Sequence, residues 1–133
     1  MNKGGGIVLS NDLKRVALVV RNNNEYSFPK GHLNDGETVF DCAIREVIEE
    51  TGYDVVLLKN DCIGVIEYDN FEGHIKCYMY LFKENGKTSK YIDEIDKEKI
   101  VWVKFEEVSK LLSYKNLIDF WNNIEDKIGR AHV

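Results

Sequence analysis

Residues 31–53 of this 133-residue chain read GHLNDGETVFDCAIREVIEETGY and contain the clearest helical pattern of the sequence. From position 39 its apolar residues recur at spacings of three and four, so at 100° per residue they share one half of a helical wheel. They are Val39, Phe40, Ala43, Ile44, Val47 and Ile48. Thr38 and Asp41 have the spacing of a helix N-cap, and Gly52 stands where a left-handed residue ends a helix. The pattern predicts an amphipathic helix over 38–51, packed against a core.

Three glutamates crowd onto the face of this helix that points away from the apolar side. Glu46, Glu49 and Glu50 fall within an arc of about 100°. Each close pair of like charges costs an isolated helix about 0.2 to 0.5 kcal/mol, and only Arg45 lies alongside to offset them. A hard divalent cation with oxygen ligands would relieve the repulsion and give the cluster a role. The alternative is a solvated acidic face.

The spacing of seven residues in this stretch resembles the Nudix box, the 23-residue loop–helix–loop motif of the MutT-like Nudix hydrolases. The seven fixed positions of that motif are occupied here by Gly31, Glu37, Arg45, Glu46, Glu49, Glu50 and Gly52. One position departs from the pattern, since Tyr53 stands where an aliphatic residue is usual. The resemblance is specific over 31–53 and looser over the rest of the chain, where it lies in the order of elements.

The resemblance implies an α/β fold, the Nudix α/β/α sandwich with a mixed central sheet, as a single domain over 1–133. It implies hydrolysis of a pyrophosphate bond in a nucleoside diphosphate linked to another moiety, with Mg²⁺ or Mn²⁺ as cofactor. It also makes Glu46, Glu49 and Glu50 catalytic metal ligands, joined by the Gly31 carbonyl. Mg²⁺ keeps several waters and binds through few carboxylates and substrate phosphates, which suits an open acidic helix face.

Arg45 and Glu37 are assigned a supporting role by the same resemblance. They form an ion pair that ties the loop to the helix and orients the metal-binding acids. The alternative for Arg45 is a phosphate-contacting or merely surface arginine. Gly36 supplies a turn after Asn34 and Asp35, and Gly52 ends the helix, so both glycines are structural on either interpretation.

The general base has two candidate locations in the family, a glutamate of the box and an acid on the loop before the late Trp strand. In this chain Glu94, Asp96 and Glu98 all lie in that loop, upstream of Trp102. Glu94 is the first choice as the loop acid that contacts metal or water, and Glu98 is the next. The alternative for Glu94 is solvated charge.

The substrate is indicated by the segment around Gly31. Lys30 and His32 flank it and are candidates to bind substrate phosphates, and residues 28–32 resemble the loop of diadenosine polyphosphate and diphosphoinositol phosphate hydrolases. Tyr78 is a candidate to contact a nucleobase, although strand aromatics such as Tyr68, Phe71, Tyr78 and Tyr80 are more often core residues. The favoured substrate is a dinucleoside polyphosphate such as diadenosine tetraphosphate. The alternatives are an oxidised nucleoside triphosphate and a Nudix domain that binds nucleotides without hydrolysing them.

The remainder of the chain alternates strand and helix patterns. Short runs rich in Val, Ile, Tyr and Phe predict strands at 4–10, 16–20, 26–28, 54–58, 62–68, 75–82 and 100–103. The Asn85-Gly86 pair predicts a turn over 84–87. Helical periodicity returns over 105–112 and 115–128. Residues 129–133 carry no structural signal, which leaves disorder open for them.

Composition and charge argue against some classes of binding partner. The chain has 18 basic and 23 acidic residues, a net charge of −5, which gives no general attraction for nucleic acid or an anionic membrane. No apolar run approaches a membrane span, and the N-terminus lacks a signal-peptide pattern. Three widely spaced cysteines favour a reducing cytoplasm over a disulfide scaffold. We therefore expect neither nucleic acid nor a membrane as partner. The resemblance to the Nudix hydrolases implies a small nucleotide substrate and is compatible with a homodimer.

Overall fold

The computed structural model describes residues 1–22, 24–89 and 99–132, with side chains up to Gly129 at the C-terminal end. Eight strands are β1 Asn2–Leu9, β2 Arg15–Arg21, β3 Glu25–Ser27, β4 Lys30–His32, β5 Tyr53–Leu57, β6 Gly64–Asn70, β7 Gly73–Lys87 and β8 Lys99–Lys104. The helices are α1 Val39–Thr51, α2 Val108–Leu111 and α3 Lys115–His132, with a 3-10 turn at Phe105–Glu107. None of these helices is long and apolar enough to cross a membrane.

The strands form one mixed sheet. β1 pairs with β7 in parallel and with β2 and β4 antiparallel. β2 also pairs with β3 and β8, and β7 also pairs with β5 and β6. β1 and β2 meet only at their shared turn, at Leu9 and Val16, and β3 and β4 occupy the remaining length of their facing edges. This arrangement sets the loop after β4 next to α1.

Helices cover both faces of the sheet, which confirms the α/β/α sandwich. On one face α1 contributes Ala43 and Val47 to a cluster with Val8, Ala17, Tyr80 and Phe82 from the sheet. On the other face α3 contributes Leu117, Phe120, Trp121, Ile124 and Ile128 to a larger cluster with Ile7, Leu18 and Met79. Alternate side chains of each strand point to opposite faces, so β1, β2 and β7 supply both clusters.

Helix α1 begins and ends where the sequence predicts. The Thr38 side chain accepts a hydrogen bond from the Asp41 amide at 3.0 Å. Gly52 adopts φ +75° in the left-handed region, and its amide reaches the Ile48 carbonyl. These caps fix the start and end of the helix that carries the three acids.

Replacing Thr38 with alanine is expected to lower the free energy of unfolding by about 1 kcal/mol, because the Asp41 amide loses its acceptor. Thermal melting should shift down by about 3 °C. Thr38→Ser keeps the hydroxyl and serves as the control, with stability near that of the parent. Equal destabilisation by Ser and Ala would contradict a capping role.

The predicted turn over 84–87 is wrong. Instead of a turn over 84–87, β7 continues to Lys87, which pairs with Tyr53. The register shifts between Tyr53 and Val55, and Gly86 has φ +85°, so the Asn-Gly pair lies in a bulge rather than a hairpin turn. Helix α3 extends beyond the predicted 115–128 and ends at His132.

Candidate active site

The acidic face of α1 is covered rather than open to solvent, which corrects the sequence-based interpretation. The Glu46 and Glu49 side chains are each only 17% exposed, and Glu50 is buried at 4% exposure. Strand β4 runs over this face, and a Cβ atom placed on Gly31 would collide with the Glu46 carboxylate. The backbone can approach the acids this closely only because residue 31 is glycine.

Glu50 lies at the inner end of the cluster. One carboxylate oxygen accepts a hydrogen bond from the Lys30 amide at 2.6 Å, and the other forms an ion pair with the Arg21 guanidinium. Burial raises the pKa of this carboxyl from 4.5 to about 7, although the charge of Arg21 and the Lys30 amide act in the opposite direction. Glu50 is therefore an acid that loses its proton near neutral pH.

Arg45 binds the other two acids and the loop together. Its guanidinium donates two hydrogen bonds to Glu37, at 2.7 and 2.9 Å, and further bonds to Glu46 at 2.8 Å and Glu49 at 3.1 Å. It also reaches the His32 carbonyl at 2.8 Å. Hydrogen bonding to Glu37 raises the pKa of Arg45 above its ordinary value, and the same bond lowers the pKa of Glu37. The arginine fixes both β4 and the loop to α1.

The loop between β4 and α1 is ordered by its own turn. The Glu37 amide donates to the Asn34 carbonyl at 3.0 Å, and the Glu37 carboxylate accepts from the Asn34 amide at 2.8 Å. Gly36 has φ +79°, a conformation that side chains disfavour. The turn therefore delivers Glu37 to Arg45 in a defined orientation.

The chemistry of the donor set fits a hard divalent cation. The three glutamates and the Gly31 carbonyl offer only oxygen, the ligand that Mg²⁺ and Mn²⁺ prefer. The Gly31 carbonyl already accepts a hydrogen bond from the Cys42 thiol, at 3.4 Å, and burial raises the pKa of that thiol to about 11, which keeps it a neutral donor. Within residues 1–22, 24–89 and 99–132, no three acidic, histidine or cysteine side chains converge on a common point that could hold a metal. Each glutamate contacts an arginine instead, so metal binding requires these carboxylates to change partners.

A cleft of about 290 Å³ opens beside Glu50. Arg21 and Lys30, both in contact with Glu50, form part of its wall. Two tyrosines, Tyr68 and Tyr114, line it as well, and the remaining wall residues are Glu25, Ser27, Asn116 and Leu117. The wall thus carries two basic side chains, which can bind an anionic ligand, and one acidic side chain, Glu25.

The predicted substrate residues are placed unequally. Lys30 lines the cleft, whereas the exposed His32 ring lies 3.3 Å from Glu72 at the β6–β7 turn. Tyr78 packs against the cluster beneath α1 and does not line the cleft, so the structure does not place it with Glu50. Glu94, like Asp96 and Glu98, lies outside the described residues.

Sequence reasoning missed Arg21, Glu25 and Tyr114. The Tyr114 hydroxyl donates to Glu25 at 2.9 Å across 89 residues of sequence, and neighbouring Ser113 exchanges hydrogen bonds with the Tyr26 backbone. For Arg21 the sequence offered one weak indication of a functional role, its charge at the end of an apolar strand. The pairing of Tyr114 with Glu25 follows from the topology of the sheet and leaves no local sequence pattern.

We expect affinity for divalent metal to rise about tenfold per pH unit up to about pH 7 and to level off above it, because a proton competes for the Glu50 carboxylate. The raised pKa also means that the stabilisation from Glu50 is complete below about pH 4.5 in the metal-free protein and is lost as the pH rises through 7. Mn²⁺ binding followed by electron paramagnetic resonance between pH 5.5 and 8.5 measures the first effect. Glu50→Gln should flatten the profile, and an equally steep profile in that variant would contradict the assignment.

Sequence comparison with known proteins places the chain in a single family. The sequence profile of the NUDIX domain matches residues 3–121. An 8-oxo-(d)GTP phosphatase of Mycolicibacterium smegmatis is 33% identical over 91 residues, 68% of this chain and 27% of that protein. The mRNA-decapping enzyme subunit 2 of Saccharomyces cerevisiae is 29% identical over 121 residues, 88% of this chain and 12% of that protein. The chain thus spans a small part of the length of both relatives.

Among solved structures, an Ap4A hydrolase of C. elegans shares the fold, with a TM-score of 0.77 at 16% identity. The similarity covers 97% of this chain and 98% of that one. The same topology therefore extends over nearly the whole length of both chains.

Proposed function

Because the chain belongs to the NUDIX domain family, that of the Nudix hydrolases, we propose that it hydrolyses a pyrophosphate bond in a nucleoside diphosphate linked to another moiety. We propose Mg²⁺ as its cofactor, with Mn²⁺ as a substitute. The observation that carries the proposal is the position of the acids: Glu50 contacts Arg21 and the Lys30 amide, and both of these basic residues also line the cleft. Oxygen ligands for a metal and cations for phosphates thus lie side by side.

Each part of the site has a distinct task in this reaction. Glu46, Glu49, Glu50 and the Gly31 carbonyl would hold the cation. When bound, that cation supplies polarisation of the phosphoryl oxygens and a more acidic water. The Lys30 side chain balances the charge of substrate phosphates in the cleft. Arg45 and Glu37 orient the metal-binding acids through hydrogen bonds and do not touch the substrate.

For the proton-accepting group we propose Glu94, with Glu98 next, on the loop before β8. Both residues lie outside the described residues, so this role stays a prediction from the sequence. A glutamate of the box is the alternative base. If Glu94→Gln lowers kcat but retains nucleotide and metal binding, the result would support Glu94 as the general base.

A dinucleoside polyphosphate such as diadenosine tetraphosphate is our proposed substrate. Its support is threefold: the loop at residues 28–32, the fold shared with a C. elegans Ap4A hydrolase, and a cleft wall with two tyrosines, Tyr68 and Tyr114, that offer flat surfaces to a nucleobase. An oxidised nucleoside triphosphate is the second candidate, favoured by the 33% identity with an 8-oxo-(d)GTP phosphatase.

A panel of substrates tests the proposal. Purified protein with Mg²⁺ is incubated with diadenosine tetraphosphate, oxidised dGTP, ADP-ribose, capped RNA and diphosphoinositols, and products are separated by chromatography. We expect the highest kcat/KM on diadenosine tetraphosphate, and complete loss of turnover with excess chelator while the helical circular dichroism is unchanged. Preference for oxidised dGTP would favour the second candidate. Tight nucleotide binding without turnover in Mg²⁺ or Mn²⁺ would overturn hydrolysis in favour of a binding domain.

For the cellular setting we propose a reducing compartment such as the cytoplasm, since Cys42, Cys62 and Cys77 are all free thiols. A homodimer stays a prediction, to be checked by light scattering.

A further inference from the structure

We propose that Arg21 is an exchange residue, which neutralises Glu50 while no metal is bound and turns to a substrate phosphate once a cation takes over the carboxylate. The inference rests on the proposed function, because it assigns Arg21 a role in admitting a polyphosphate to the same cleft. It goes beyond that function by coupling the metal site to the cleft through one side chain.

The position of Arg21 gives it two environments. It is the last residue of β2, with its guanidinium in contact with the Glu50 carboxylate and its side chain 31% exposed in the cleft wall. Glu50 itself is almost fully buried. This ion pair therefore connects the buried acid with the wall of the cleft.

Electrostatics decides which partner Arg21 prefers. A buried carboxylate with no compensating charge is costly, so Glu50 retains the guanidinium when no other cation is present. A divalent cation on the same carboxylate removes that requirement and repels the arginine. The Lys30 amide can keep its bond to Glu50 in either state, because it is uncharged backbone. Arg45 has no such second role, since its bonds to Glu37, Glu46 and Glu49 draw it toward α1 and the loop.

The consequence is reciprocal coupling between metal and polyphosphate. Each ligand should bind more tightly when the other is present, and part of that gain should pass through Arg21 rather than through direct metal–phosphate bonds. Removing the Glu50 charge should imitate the metal and release the arginine even in its absence. This distinguishes the exchange from ordinary phosphate coordination by a metal.

The metal-free test uses calorimetric titration of ADP at pH 8 in excess chelator. Glu50→Gln should bind ADP about tenfold more tightly than the parent, the gain expected of one charge-assisted bond to phosphate. The double variant Arg21→Gln/Glu50→Gln should lose that gain. Glu67→Gln, which removes the same charge from an exposed acid on β6, is the control and should change ADP affinity by no more than about twofold. Equal ADP affinities of Glu50→Gln and the double variant would overturn the proposal.

A second measurement does not need a Glu50 variant to fold. With saturating Mn²⁺, Arg21→Gln should weaken ADP binding about tenfold, whereas without metal it should leave the affinity nearly unchanged. Arg15→Gln, an exposed arginine at the other end of β2, is the control and should behave as the parent. Equal loss of affinity with and without Mn²⁺ would contradict the exchange. Neither measurement needs turnover, so failure of hydrolysis and failure of the exchange give separate results.

Discussion

Replacing Glu49 with glutamine is expected to lower kcat/KM for Mg²⁺-dependent hydrolysis by at least about 100-fold, because the amide cannot supply the charge that a divalent cation requires. The fold should be retained, because the glutamine side chain is polar and has nearly the same shape as that of glutamate. Steady-state kinetics over a range of Mg²⁺ concentrations measures the effect. Thermal melting of the same samples establishes that the site and not the fold is lost.

Glu67→Gln is the matched control for this substitution. Glu67 lies on β6 with half of its side chain exposed, and its ion pairs with His74 and Lys76 are longer than 3.5 Å. It should keep the parent activity and stability, because exposed ion pairs contribute little. Unchanged kcat/KM in Glu49→Gln at every Mg²⁺ concentration would mean that this carboxylate does not serve the reaction.

Replacing Arg45 with alanine is expected to lower the free energy of unfolding by about 3 kcal/mol, because three poorly exposed carboxylates lose their shared cation. The melting temperature should fall by about 10 °C in chelator. Arg45→Lys should recover little of this loss, since an ammonium group cannot make the paired bonds to Glu37. Differential scanning calorimetry measures all three proteins.

Added Mg²⁺ provides an internal check on this explanation. A cation bound by Glu46 and Glu49 would replace part of the lost charge, so Mg²⁺ should raise the melting temperature of Arg45→Ala more than that of the parent. Arg15→Ala removes an exposed arginine and should melt as the parent does. Parent-like stability of Arg45→Ala in chelator would show that the arginine does not hold the acids.

The local parts of the architecture were predictable because their signals are local. Helix α1 follows from the period of its apolar residues, the Thr38 cap and the left-handed Gly52, all within 15 residues. The strands follow from runs of β-branched and aromatic residues, although their ends differ by a few residues. The Asn85-Gly86 pair misled because a bulge and a hairpin turn both use glycine with positive φ, and only the pairing of Lys87 with Tyr53 distinguishes them.

The candidate site was predictable in composition and not in its surroundings. The box supplied Glu46, Glu49 and Glu50, but a helical wheel contains no information about β4, which covers them, and so cannot predict how strongly they are buried. Arg21 and Tyr114 enter the site from β2 and from the residue before α3, far away in sequence. The positions of Arg21 and Tyr114 depend on the pairing of β3 with β2 and of β4 with β1. No short stretch of sequence predicts that pairing.

The most direct test of the central claim is a crystal structure with Mn²⁺ and a methylene-bridged, uncleavable analogue of diadenosine tetraphosphate. The anomalous signal of manganese should lie within coordination distance of carboxylate oxygens from Glu46, Glu49 and Glu50, with analogue phosphates among its other ligands. The polyphosphate should extend into the cleft lined by Arg21 and Lys30. Manganese absent from these three carboxylates, or an analogue bound on another surface, would contradict the account.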